Sequence, residues 1–214
     1  MKPRRWEDHY TSARSELHYP DENLVRLLAK SFSRTAAPTG ITAVDLGCGS
    51  GRHIKLLSEL GLPHIIGTDA SYNALALSRK WEPALLLQAD NRRIPLKSAS
   101  ADIIIAWGSL HYSVKDDLAG MLEEIRRVLK KGGALFATLR SSRDSHLKKG
   151  EHLGNETWIT DLNDIKGSIA SFYSEDELVA AFARYEKISY GLIERTLVGD
   201  LSSLISHWVI EARK

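Results

Sequence analysis

The chain has 214 residues, 43% hydrophobic and 26% charged, with a formal net charge of only +2. Such a length and mixture fit one folded domain and exclude a disordered or low-complexity polypeptide. Basic residues gather only in small spots (Lys2, Arg4, Arg5; Lys148, Lys149), without the stripe and interleaved aromatics of a nucleic-acid surface. A single cysteine excludes an intramolecular disulfide framework. No apolar run reaches the roughly 18 residues of a membrane span, and MKPRRWEDHY has no signal-peptide apolar region. The expectation is a cytoplasmic protein with no membrane and no nucleic-acid partner, its oligomeric state left open.

In chain order, Leu24, Val25, Leu27, Leu28 and Phe32 recur at helical spacing behind Asp21, a capping residue, and predict a helix over residues 22–34. Residues 41–46 form a short apolar run ending in glycines; 52–60 resume helical spacing. The rhythm repeats with a strand at 64–68, a Ser71-capped helix over 71–80 and a strand at 84–89. Residues 102–107 are almost wholly apolar, as a strand covered on both faces should be. Leu118, Met121, Leu122, Ile125, Val128 and Leu129 mark an amphipathic helix, with Lys130 and Lys131 at its negative end and Gly132-Gly133 as its stop. A strand is expected at 134–139.

Residues 141–173 are polar and poorly periodic, and are read as an insertion or active-site lid. Ser174 to Glu177 is a capping box opening a helix to about Arg184, and strands near 186–192 and 206–212 close the chain as an antiparallel pair. The fold class is therefore α/β: one domain with a doubly wound, mostly parallel seven-stranded sheet, an antiparallel C-terminal strand and helices on both faces, preceded by an N-terminal cap and helix over 1–36. Right-handed crossovers place every strand C-terminus, and any ligand crevice, along one edge.

Gly47, Gly49 and Gly51 alternate after the first strand and open a helix, which brings backbone N–H groups close to a ligand. The dinucleotide fingerprint needs glycine at its sixth position, where this chain has Arg52, so a nicotinamide dinucleotide fits poorly. The run Asp45-Leu46-Gly47-Cys48-Gly49-Ser50-Gly51 instead resembles the first motif of the class I S-adenosylmethionine-dependent methyltransferases, of the small-molecule type. About 20 residues on, Asp69 ends the second strand, where a carboxylate can accept both hydroxyls of a ribose. Ala89-Asp90-Asn91 and Arg127 to Gly133 are similar to two later motifs of that family.

The resemblance implies S-adenosylmethionine as cofactor, held by Asp45, Gly47, Gly49, Gly51, Asp69, Ala70, Asp90 and Asn91, with Tyr10 of the cap reaching the methionine end and Trp107 as a wall near the sulfonium. His111 stands where the family places residues beside the transferred methyl, and is the candidate general base; packing or helix capping is its alternative role. The Asn/Asp-Pro-Pro-aromatic motif of amino-group methylation is replaced by Ala106-Trp107-Gly108-Ser109, and no metal-ligand spacing occurs. A small-molecule acceptor is expected; the alternative is a non-catalytic sensor or scaffold that binds the same cofactor.

Overall fold

The structure is a computed structural model and describes residues 4–12, 15–32, 39–81, 84–162 and 165–214. Helix α1 (Arg4–His9) precedes α2 (Glu22–Phe32), then β1 (Thr42–Leu46), α3 (Arg52–Glu59), β2 (His64–Asp69), α4 (Tyr72–Ser78), β3 (Leu85–Gln88) and β4 (Ala101–Ala106). There follow α5 (Asp117–Val128), β5 (Leu129–Ser141), β6 (Gly150–Gly154), β7 (Thr157–Thr160), β8 (Ile169–Tyr173), α6 (Glu175–Ala181), β9 (Lys187–Leu197) and β10 (Asp200–Arg213). The predicted end of α2 at residues 33–34, and part of the expected cap, lie outside the described residues.

Local chemistry explains several boundaries. Asp21 accepts from the Asn23 amide at 2.9 Å and so caps α2, and Ser71 accepts from Ala74 to start α4. Both halves of the capping box between Ser174 and Glu177 are formed at α6. The end of α5 departs from expectation. Leu129 is extended, with φ −62° and ψ 136°, because it pairs with Ala101 of β4, and Lys130 reaches Asp102 at 2.7 Å instead of lying over a helix end.

Strands β3, β2, β1, β4 and β5 are parallel neighbours in that order. β10 then runs antiparallel to β5 and to β9, which is the expected closing pair, longer than its apolar cores suggested. Residues 150–173 add strands: β6 and β7 form an antiparallel hairpin, β7 pairs with β8, and β8 joins β5 at Arg140 and Ser141. The sheet thus has ten strands among the described residues instead of seven.

Alternate residues of the central strands feed two cores. Ala43, Ile103, Ile105 and Phe136 pack with Leu24 and Leu28 of α2 and with Ile54 and Leu57 of α3. Val44, Leu46, Ile104 and Leu135 pack with Leu118, Leu122 and Ile125 of α5. The C-terminal ends of β1, β2, β3 and β4 are left together at one edge, with α1 above them.

Candidate active site

Two acidic strand ends and one glycine turn build the centre of that edge. Gly47 and Cys48 donate their amides to the Thr68 carbonyl at 2.7 and 2.9 Å, tying the turn after β1 to the end of β2. Asp69 accepts from Gly49 N–H at 3.0 Å and from Ser71 N–H at 2.9 Å. Burial pushes the Asp69 carboxyl up, against these backbone hydrogen bonds, which lower it. Gly47 has φ +71°, and a Cβ there would lie 2.5 Å from Ser109 Cβ, so only glycine lets this turn sit against the loop after β4.

Helix α1 roofs the centre. The Glu7 carboxylate accepts from Ser71 Oγ (3.0 Å) and from the amides of Tyr72 (2.6 Å) and Asn73 (3.0 Å), while Asn73 Nδ2 donates to the Glu7 carbonyl at 2.9 Å. An acid from another segment thereby supplies the free N–H groups of α4. Tyr10 comes down over the turn: a Cβ on Gly49, where φ is +56°, would meet its hydroxyl at 2.6 Å. Trp6 packs edge to face on Tyr112, with centroids 4.9 Å apart. Arg5 donates to the Lys166 carbonyl at 3.0 Å, so α1 bridges the glycine turn and the inserted strands.

The cleft beneath is lined by Tyr10, Gly47, Asp69, Ala70, Asp90 and Asn91 of the expected set. Asp90 is fixed by Arg92, which donates from its backbone N–H and from Nε at 2.9 Å; this ion pair holds the carboxyl below its usual range. The opposite wall consists of Ser109, Tyr112, Ser113, Asp117 and Met121. Sequence reading missed Glu7, Ser109 and Arg92 as parts of this site. Glu7 carries no motif, and its role exists only once α1 meets α4.

Five expected residues stand back from the cleft wall, the first being Gly49, which lies under the Tyr10 hydroxyl. Gly51, with φ +84°, caps α3 from below. Asp45 is 1% exposed, with Oδ2 unpartnered and Oδ1 4.0 Å from His53 Nδ1. Burial raises its pKa to about 7, against a lowering by Arg52, and burial lowers that of His53 to about 3. Trp107 is 8% exposed, and its indole belongs to the core beside α2 and α3. His111 is 1% exposed and lies behind Tyr112, its ring centroid 4.5 Å from that tyrosine's and 5.9 Å from that of His207. Burial first, and then the Arg140 charge, hold the His111 imidazole neutral. Cys48 is buried, and burial drives its thiol well above the ordinary value, which removes it as a nucleophile.

Residues 44–137 match the methyltransferase domain family. The fold of the chain is that of solved S-adenosylmethionine-dependent methyltransferases, and the matched stretch runs from β1 through the glycine turn into β5. Among curated proteins it is similar to a tRNA (carboxymethyluridine(34)-5-O)-methyltransferase of Macaca fascicularis, at 27% identity over 147 residues, 68% of this chain and 20% of that one. It is also similar to a malonyl-[acyl-carrier protein] O-methyltransferase of Enterobacter lignolyticus, at 31% identity over 131 residues, 60% of this chain and 48% of the relative. The chain thus spans a fifth to a half of the length of these relatives. A solved S-adenosylmethionine-dependent methyltransferase of Mesorhizobium loti shares the fold, with a TM-score of 0.66 at 19% identity, covering 90% of this chain and 96% of that one.

S-adenosylmethionine is the cofactor of this class, and the cleft fits it. The turn at Gly47 has no room for a side chain, Asp69 presents a carboxylate at the end of β2, and Ala70, Asp90 and Asn91 form the wall beyond it. Among the described residues no group of three or more His, Cys, Asp or Glu side chains is placed to hold a metal ion, and no helix is long and apolar enough to cross a membrane.

Proposed function

We propose that this chain transfers the methyl group of S-adenosylmethionine to a small-molecule acceptor by in-line displacement. One observation carries this reading. A single cleft holds both the cofactor-fitting residues Gly47, Asp69, Asp90 and Asn91 and an adjoining wall of Ser109, Tyr112 and Ser113, under the roof of Trp6 and Tyr10. Held by Gly47, Asp69, Asp90 and Asn91, the cofactor would supply an electrophilic methyl on a positively charged sulfur, open to an acceptor's lone pair with the sulfur as leaving group.

The chain's own part is to orient and to exclude water. Asp69 and the side-chain-free face of the turn at Gly47 position one reactant, while Trp6, Tyr10 and Tyr112 close off solvent above it. In the same reading His111 takes the proton from a hydroxyl acceptor once Tyr112, which covers it, turns aside: its Nδ1 is unpartnered and its ring neutral. A roof tied down at Glu7 and at Arg5 favours an acceptor small enough to fit beneath it. The tRNA and carrier-protein acceptors are those of the relatives.

The test has two stages. Saturating S-adenosylmethionine or its demethylated product should raise the melting temperature, and methyl-labelled cofactor should then label a component of a metabolite extract. Stabilisation with no transfer would select the sensor role, and label confined to tRNA or carrier protein would sink the small-molecule acceptor. Replacing His111 by Gln should lower turnover by about 10²-fold while leaving cofactor stabilisation intact.

A further inference from the structure

Behind the Tyr112 wall lies a buried polar cluster that the cofactor site does not use. Arg140, near the end of β5, is 8% exposed. Its Nη1 donates to Asp144 Oδ2 at 2.6 Å, while its Nε is buried without a partner. Asp144 is already engaged: the amides of Leu147 and Ser206 each donate to it at 2.9 Å. Arg140 is opposite His207 in the β5–β10 ladder, and the His207 ring lies 5.9 Å from that of His111, tilted by 59°. His111 Nδ1 and His146 Nδ1 are also buried and unpartnered.

A purely structural ion pair would not leave this pattern. An unsatisfied buried donor on a guanidinium is costly, and a fold that needed only the Arg140–Asp144 bridge would cover Nε with a carbonyl. Asp144 takes Nη1, so the edge bearing Nε and Nη2 is the one left over. That edge has the spacing of the two oxygens of a carboxylate. The surrounding charge agrees. Arg195 and Lys149 add positive potential at the histidines, against Asp144 and Asp21. Burial, then Arg140, holds His207 down to about 4, so the ring is a neutral hydrogen-bonding partner. The cluster stands at the strand ends that bear the glycine turn, one ring behind the cleft wall.

Resting on the reading of the chain as a methyltransferase, we propose that Arg140, with His207 beside it, forms the subsite that receives a carboxylate group of the methyl acceptor and orients the rest of that molecule past Tyr112 into the cleft.

The first test does not depend on turnover. The full chain, labelled with nitrogen-15, is titrated with propionate and benzoate and, separately, with propionamide and benzamide. The Nε–H resonance of Arg140 is followed, assigned by its loss in Arg140→Lys. The carboxylates should move it downfield saturably and the amides should not. No response to carboxylates, an equal response to the amides, or a response to inorganic phosphate alone would overturn the proposal.

The second test uses methyl-labelled S-adenosylmethionine and a metabolite extract divided by anion exchange. Label should enter the anionic fraction, and Arg140→Gln should raise the KM for that fraction more than tenfold with cofactor affinity unchanged. The double variant Arg140→Gln/Asp144→Asn, which removes both members of the ion pair, should show the same KM rise if the single variant folds poorly. Label only in the neutral or cationic fraction would overturn the subsite. No cofactor stabilisation and no label in any fraction would instead defeat the methyltransferase reading, and the titration would then decide the carboxylate site by itself.

Discussion

The Gly49 amide donates to Asp69 Oδ2 at 3.0 Å, so the glycine turn after β1 and the acid that ends β2 form one hydrogen-bonded unit. Asp69→Asn keeps an oxygen for that bond but removes the charge and half the accepting capacity offered to a ribose diol. Cofactor affinity should fall about 10- to 100-fold, the range for a hydrogen bond to a charged group, with the circular dichroism spectrum unchanged. Titration calorimetry measures it, and wild-type affinity would refute the assigned role of Asp69.

Close approach of Tyr10 to the turn makes a second prediction. Gly49→Ala must place a methyl 2.6 Å from the Tyr10 hydroxyl at a positive φ. It should destabilise the protein by about 1–3 kcal/mol and loosen α1. Removing the obstructing oxygen with Tyr10→Phe should recover part of that loss, so that the two changes are non-additive in a double-mutant cycle. Strict additivity in urea melts would show that Tyr10 does not sit over Gly49.

Docking of α1 through Glu7 should depend on pH. Partial burial pushes the Glu7 carboxyl up, but the hydrogen bonds from Asn73, Tyr72 and Ser71 together leave it below its ordinary value of 4.5. A depressed folded-state pKa gives stability that is present above 4.5 and is lost as pH falls through the folded value. Limited proteolysis ahead of α2 should therefore accelerate on acidification below about pH 4.5. Glu7→Gln should show the faster cleavage already at neutral pH.

Asp45 works with the opposite sign. Its folded pKa, raised to about 7 by burial, exceeds the ordinary 3.8, so the folded state holds a proton that the unfolded chain releases. Its contribution is complete at low pH and declines as pH rises through that interval. Asp45→Asn should raise the melting temperature more at pH 8 than at pH 5, by about 2–4 °C for each kcal/mol regained in a chain of this size. An equal change at both pH values would mean that Asp45 is ionised throughout.

The parts of the site that were legible in the amino-acid order are those fixed by backbone and by near neighbours. Gly47 must be glycine because the turn itself demands its φ of +71°, and Asp69 declares itself by ending a strand. Trp107 closes the expected strand over 102–107 and His111 follows it, but the direction of their side chains depends on β5, β10 and α2, which lie far away in the chain. The end of α5 was misjudged because Lys130-Lys131-Gly132-Gly133 is a good local stop signal, overridden here by the pairing of Leu129 with Ala101. The strands of residues 150–173 are not legible because β6 carries Gly150, Glu151, His152 and Gly154 without apolar alternation. Nothing local announced that Arg140 would be buried against Asp144.

The placement of β10 bears on how the chain comes to be folded. Phe136 of β5 finds its neighbour on one side in Ile105 of β4, but on the other side only in Glu211 of β10, and Leu139 pairs with Trp208 of the same late strand. While a ribosome extends the chain at about 5–20 residues per second, the β5 edge stays open for several seconds before those partners exist. An apolar edge left open that long can pair with another nascent chain. This long wait assigns the polar arm from Ser142 to Lys149, which binds β10 at Leu204, a place in the order of assembly: it must keep clear of the β5 edge until β10 has filled it.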